Sequence, residues 1–177
     1  MEYTLKNGKT LTVRQLIPDD AQEMLDLLKT ADTETRFLAR NPGELTLTVE
    51  KERSFIENGL QDTNSAKFAA FYEGKLVGHC SIGLVRSRQR FRHRSEVAFL
   101  LYKDFWGLGI GSCMMEECIR WAQEHGVLQI ELDVVAQNER AMALYRKYGF
   151  EICGTLPRAL RYPDGTFADE YRMIKIL

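Results

Sequence analysis

At 177 residues, 45 % of them apolar and 28 % charged, the chain has the make-up of a globular domain with room for a sizeable core. Its formal net charge of −1 gives no global reason to expect nucleic acid or an anionic membrane as partner. No apolar run reaches the ~20 residues of a bilayer span, and Met1 to Lys6 lack the apolar stretch of a secretory signal. A cytoplasmic protein without a membrane partner is the expectation.

Residues 10–16 alternate and are rich in β-formers, which predicts a strand with Leu11, Val13 and Gln15 on one face. Pro18-Asp19-Asp20 suits the first turn of a helix that carries Met24, Leu25, Leu27 and Leu28 on its core side. Pro42-Gly43 breaks the chain, and Thr48 or Thr46 caps a second helix through Phe55, Ile56 and Leu60. Residues 68–72 and 75–84 read as strands joined by the tight turn Glu73-Gly74. Arg86, Arg88, Arg90, Arg92 and Arg94 then alternate. An extended chain would put them on one face, but a turn is expected to interrupt them and leave a basic hairpin tip. A solvated hairpin is the preferred reading of this run, with a site for an acidic protein, RNA or a ribose phosphate as its rival.

Residues 95–102 form the next strand, and residues 112–125 a long helix closed by Gly126. The connection carries Gly107, Gly109 and Gly111 at every second position, so its backbone N–H groups lie open to a ligand. With the positive end of the following helix dipole they make a site suited to a phosphate or pyrophosphate. The Gly-Lys-Ser/Thr of a nucleotide P-loop is missing, as is the Gly-x-Gly-x-x-Gly spacing of a dinucleotide fold. Residues 127–135 read as a strand, 139–148 as a helix ended by Gly149, 150–156 as a strand, and 168–176 as the last strand after the turn Pro163-Asp164-Gly165-Thr166. The pattern predicts one domain over residues 1–177 with a mixed α/β sheet. Cys80, Cys113, Cys118 and Cys153 read as small apolar groups, since a cytoplasmic chain of this size needs no staples. Neither they nor His79, His93 and His125 have metal-ligand spacing, so no metal is expected.

The run Asn138-Glu139-Arg140-Ala141-Met142-Ala143-Leu144-Tyr145-Arg146-Lys147-Tyr148-Gly149-Phe150 decides among the phosphate-binding folds. With the strand, glycine loop and helix before it, and the closing hairpin from Asp164 to Glu170, it resembles the GNAT superfamily of acyl-CoA-dependent N-acetyltransferases. The chain looks closest to the bacterial branch that includes ribosomal-protein, polyamine and small-amine acetyltransferases. The resemblance implies an α/β (α+β) fold: a mixed, mostly antiparallel sheet of six to seven strands, splayed between strands 4 and 5 and flanked by about four helices. It implies acetyl-CoA as co-substrate and an amine acceptor. The acetyl group would pass to a primary amine of a small molecule, polyamine or protein by direct attack on the thioester, without a metal or a covalent enzyme intermediate.

Residue roles follow from the same resemblance. Main-chain groups of Phe99, Leu100 and Leu101 would pair with the pantetheine arm. The N–H groups of Trp106, Gly107, Leu108, Gly109, Ile110, Gly111 and Ser112 would hold the pyrophosphate; Trp106 stands where the family usually has Gln or Arg. Asn138 would bond near the arm or thioester, with Glu139 and Arg140 by the cofactor's far portion. Tyr145, protonated at its ordinary pKa of ~10, would be the general acid. Glu96 would be the general base, or else a solvated sheet residue paired with Arg94 or Arg92. His93 reads as structural or close to the acceptor. The acceptor would meet residues 33–50, with Glu34, Arg36, Phe37, Asn41 and Glu44, and the hairpin 160–167, with Tyr162 and Phe167. A homodimer would cover exposed strand edges. Two rival functions stand beside this one: a non-catalytic acyl-CoA sensor, against which Tyr145 and Asn138 argue, and an RNA- or ribosome-associated protein using the run from Arg86 to Arg94.

Overall fold

The computed structural model describes residues 1–177. Its strands are β1 (Glu2–Thr4), β2 (Thr10–Gln15), β3 (Ser65–Tyr72), β4 (Lys75–Leu84), β5 (Arg94–Leu101), β6 (Gln129–Val135), β7 (Glu151–Arg161) and β8 (Phe167–Ile176). Its helices are α1 (Ala21–Glu34), α2 (Val49–Gln61), α3 (Ile110–Glu124) and α4 (Glu139–Lys147). The sheet runs β1-β2-β3-β4-β5-β6-β8-β7. Pairing is antiparallel for β1 with β2, β2 with β3, β3 with β4, β6 with β8 and β7 with β8, and parallel for β5 with β6. The mixed, mostly antiparallel fold with four helices is as predicted, but there are eight strands rather than six or seven.

The additional strand is β1, whose three residues are too few for a period of two to register. It forms because Tyr3 pairs with Leu11 and its hydroxyl donates to the buried carboxylate of Glu117 at 2.7 Å.

The chain divides into two compact units, residues 1–83 with 98–121 and residues 84–97 with 122–177. In the first, Leu16, Ala21, Met24, Leu27, Ile56, Ala69, Phe71 and Leu76 form one core cluster, against which Leu28, Val49, Leu100 and Tyr102 pack. Leu11 and Val13 are buried as expected, whereas Gln15 at the strand end is exposed. Arg14 grips Asp20 through two bonds of 2.7 Å, and the Ile17 N–H donates to the same carboxylate at 2.9 Å, fixing the turn from β2 into α1. Thr48 caps α2 by accepting from the Lys51 N–H. The inward stripe of α2 is Val49, Glu52 and Ile56, while Phe55 and Leu60 face solvent.

In the second unit, the β5–β6 ladder has three rungs, Arg94↔Gln129, Ser95↔Ile130 and Glu96↔Glu131. β5 continues to Leu101 and β6 to Val135 without further rungs, the break expected between these two strands. Phe150, Ile130, Leu132 and Met173 are buried in this unit. β7 runs five residues beyond the predicted end, through Pro157. That is tolerated because β7 is the outermost strand, where a missing N–H need not remove a rung. The register shifts between Leu156 and Leu160, and Arg158 takes a left-handed φ of 55°, held by its N–H to Asp169 at 2.7 Å.

Phe150→Ala is expected to lower unfolding stability by about 3–5 kcal/mol, the usual cost of emptying a buried phenyl site. Equilibrium denaturation in urea measures it.

Candidate active site

In the first unit the chain leaves β5 through a tight series of backbone bonds. Tyr102 N–H donates to Val77 O at 3.0 Å, and Phe105 and Trp106 N–H close a short helical turn on Tyr102 and Lys103. Gly107 (φ 84°) and Gly109 (φ 92°) then take left-handed conformations that an L side chain would strain. α3 begins at Ile110, two residues earlier than predicted, because Ser112 and Cys113 N–H both donate to Gly109 O. The anion cradle is therefore narrower than the sequence suggested. The N–H groups of Trp106 and Ser112 already have carbonyl partners, and Gly107, Leu108, Gly109, Ile110 and Gly111 form the remaining arc at the helix start. Such an arc fits a pyrophosphate. The Trp106 indole donates to Leu101 O at 3.0 Å, so one lone pair of a carbonyl expected to meet the pantetheine arm is already engaged. Gly78 lets β4 lie close beside the end of β5, since a Cβ there would sit 2.9 Å from Leu101 Cδ1 and 3.1 Å from Leu100 O.

In the second unit Asn138 is the N-cap of α4, its side-chain oxygen accepting from Ala141 N–H at 3.2 Å. Its amide nitrogen is the end that could donate to a ligand. Arg140 is exposed on the first turn. Tyr145 is buried, with its ring 5.9 Å from that of Phe150. Burial pushes its hydroxyl up to about 12 rather than leaving it at the ordinary value, so it holds its proton as a donor and ionises less readily than expected.

Glu96 faces Arg172 of β8 at 3.6 Å, with a half-exposed carboxylate. The predicted alternative partners are otherwise placed: Arg92 is exposed, and Arg94 forks onto the buried Glu131, one arm at 2.8 Å. Arg172 also reaches Glu131 at 3.2 Å and grips Asp133. The hydrogen bonds from Arg94 hold the Glu131 carboxyl below the usual carboxylate range. A short helical turn over Gln89–Phe91 interrupts the arginine run as predicted. Arg86 lies 4.9 Å from the Phe91 ring centre, and Arg88 and Arg90 are exposed. His93 is exposed, and its carbonyl accepts from Leu128 and Gln129 N–H, a structural task. Of the residues expected near the acceptor, Glu34 accepts from Lys103 N–H at 2.8 Å, Asn41 bonds to Glu44, and Phe167 lies under Arg158. The structure thus gathers residues 99–101 and 106–112 in the first unit, and Glu96, Asn138, Arg140 and Tyr145 in the second.

Two polar residues of the first unit escaped the sequence reading. Glu52 is 8 % exposed, and burial raises its carboxyl, with Lys67 the charge that acts on it. The spacing Val49, Glu52, Ile56 marks its inward stripe and could have revealed it. His79 is half-buried with Nδ1 2.9 Å from Phe68 O. A carbonyl only accepts, so Nδ1 carries the hydrogen and Nε2 is the acceptor. Burial lowers the imidazole to about 4. No periodic signal singles it out.

The pattern of the Acetyltransferase (GNAT) family matches residues 22–150. The L-amino acid N-acetyltransferase AaaT of Escherichia coli (strain K12) is 34 % identical over 115 residues, 62 % of this chain and 67 % of that protein. A solved acetyltransferase of the GNAT family from Streptococcus pneumoniae superposes with a TM-score of 0.88 at 33 % identity, covering 94 % of this chain and 99 % of that one. A ribosomal-protein-alanine N-acetyltransferase from Brucella melitensis superposes with a TM-score of 0.82 at 31 % identity, with the same coverage. The chain belongs to the GNAT family of acetyltransferases, and the relatives it matches are N-acetyltransferases.

The lowered pKa of His79 has a consequence for folding. The unfolded chain binds the imidazole proton near 6.5 and the folded chain only near 4. Stability from this group is therefore complete above pH 6.5 and falls as pH drops towards 4, by on the order of 3 kcal/mol in all. His79→Gln should flatten that part of the curve when unfolding is followed between pH 4 and 7.

Proposed function

We propose that this N-acetyltransferase binds acetyl-CoA with its pyrophosphate on the N–H arc from Gly107 to Gly111, and its pantetheine arm along Phe99, Leu100 and Leu101. The acceptor is a primary amine. One observation carries the reading: a strand that continues past its last β6 rung leads, through one short helical turn, into two left-handed glycines and a helix start. Backbone donors there meet an anion without side-chain charge. Acetyl-CoA supplies an activated thioester that the amine attacks directly.

The remaining roles belong to this chain's own groups. Tyr145 Oη keeps its proton throughout the working pH range and serves as the donor to the leaving sulfur. The Asn138 amide nitrogen, left by the capping oxygen, donates near the arm, and Arg140 reaches its far portion. Glu96 takes the proton from the amine, directly or through water, with Arg172 orienting its carboxylate. The two units act as one N-acetyltransferase domain, a reading supported by a family match that runs through both. A cytoplasmic site of action accords with four free thiols. No helix is long and apolar enough to cross a membrane. A homodimer formed by pairing the outermost β7 strands accords with the exposure of Ile152 and Leu156 on that edge; light scattering on wild type and Leu156→Lys decides it.

Thiol release from acetyl-CoA with a panel of primary amines tests the function. Tyr145→Phe should retain acetyl-CoA affinity while kcat falls about 10²- to 10⁴-fold, the range of a general acid; wild-type kcat would remove the role. Glu96→Gln should abolish the acidic limb of the kcat/KM profile, and an unchanged limb would exclude Glu96 as base.

A further inference from the structure

We propose that Glu52 of α2 and His79 of β4 form the subsite that holds a cationic nitrogen of the acceptor, so that the enzyme selects amines entering as ammonium ions. This presupposes the acetyl-transfer reading above and adds to it the recognition of the second substrate.

The residues meet through the core of the first unit. Val49 and Ile56, which flank Glu52 on its stripe of α2, pack on the cluster that contains Ala69 of β3, and Leu100 of β5 packs on that cluster too. Ala69 is the cross-strand partner of His79, so the two side chains share one face of the sheet. The next residue back on β4, Gly78, lies against the Leu100 carbonyl. The α2 stripe that carries Glu52 and the β3–β4 rung that carries His79 are thus tied to the cluster on which Leu100 of β5 packs, where the pantetheine arm is proposed to lie.

Neither group has a structural task that accounts for its chemistry. Glu52 is nine-tenths buried and its carboxylate makes no hydrogen bond or ion pair; the Lys67 charge acts on it, and on His79, only at longer range. A buried, unpartnered carboxyl costs stability unless something answers it. Ser95 Oγ is the one side-chain polar atom sealed from solvent without a partner, so the Glu52 oxygens and His79 Nε2 still open to water. His79 is locked by Phe68 O into the tautomer whose Nε2 accepts. It is uncharged at neutral pH and does not repel a cation. A negative acceptor and a neutral acceptor on one partly desolvated face complement the N–H groups of an ammonium ion.

L-methionine, L-alanine amide and 1,4-diaminobutane serve as acceptors for wild type, Glu52→Gln, Glu52→Leu and His79→Ala, with thiol release followed at saturating acetyl-CoA. The KM of the best acceptor should rise about 10- to 100-fold in Glu52→Gln, the loss expected for a charge-assisted hydrogen bond, while the KM of acetyl-CoA stays unchanged. Glu52→Leu should show the same loss with a melting temperature no lower than wild type, because a desolvated carboxyl has been removed. Unchanged acceptor KM in Glu52→Gln and His79→Ala overturns the subsite, as does a loss shared equally by acetyl-CoA. NMR of the His79 imidazole, titrated with each amine in the absence of acetyl-CoA, separates the two readings. A shift in wild type that Glu52→Gln abolishes supports the subsite even if no amine is acetylated. Acetyl transfer without any such shift removes the subsite and leaves the enzyme reading intact.

Discussion

A carboxylate taken out of water must be answered by charge, and Glu131, 1 % exposed, is answered by two guanidinium groups with a neutral amide beside them. Arg94, Arg172 and Gln129 all donate to it. Left alone, it would cost several kcal/mol of desolvation. Its position gives the pairing a wider consequence. Glu131 is the partner of Glu96 in the last rung between β5 and β6, so the ion network clamps the two strands at the point where their ladder ends. Beyond it β5 runs on to the glycine loop. Arg172 also holds Asp133 and faces Glu96, which ties the proposed base to the same clamp.

The proposed cofactor and acceptor ends are built on different principles. Around Gly107 and Gly109 the functional groups are peptide N–H groups, oriented by left-handed dihedrals and the start of α3. Side-chain identity there matters little, and Trp106 turns its one side-chain donor back onto Leu101. Around Glu52 and His79 the groups are side chains whose behaviour comes from burial. A backbone site tolerates exchange of side chains, whereas a side-chain site changes its ligand with a single substitution.

Much of this fold was legible in the chain. The alternation of β2, the Thr48 cap, the Glu73-Gly74 turn, and Gly126 and Gly149 after α3 and α4 are all where local chemistry put them. Each depends on a few neighbouring residues: a φ preference, a side-chain oxygen near an N–H, or a period of two or 3.6. Where the reading failed, the cause was long-range. β1 is held by Glu117, 114 residues away. β7 passes through Pro157 because its edge lies at the end of the sheet.

The sequence alone determined the family, because glycine spacing and the helix from Asn138 to Phe150 are written within short stretches. Tertiary structure decided the electrostatics: that Glu96 faces Arg172, that Tyr145 keeps its proton up to about 12, and that Glu52 is buried with only the longer-range charge of Lys67 acting on it. A side chain's charge state depends on how much water surrounds it and which charges the fold brings near. Arg172 stands 76 positions from Glu96 in the sequence, and no local pattern records that they meet.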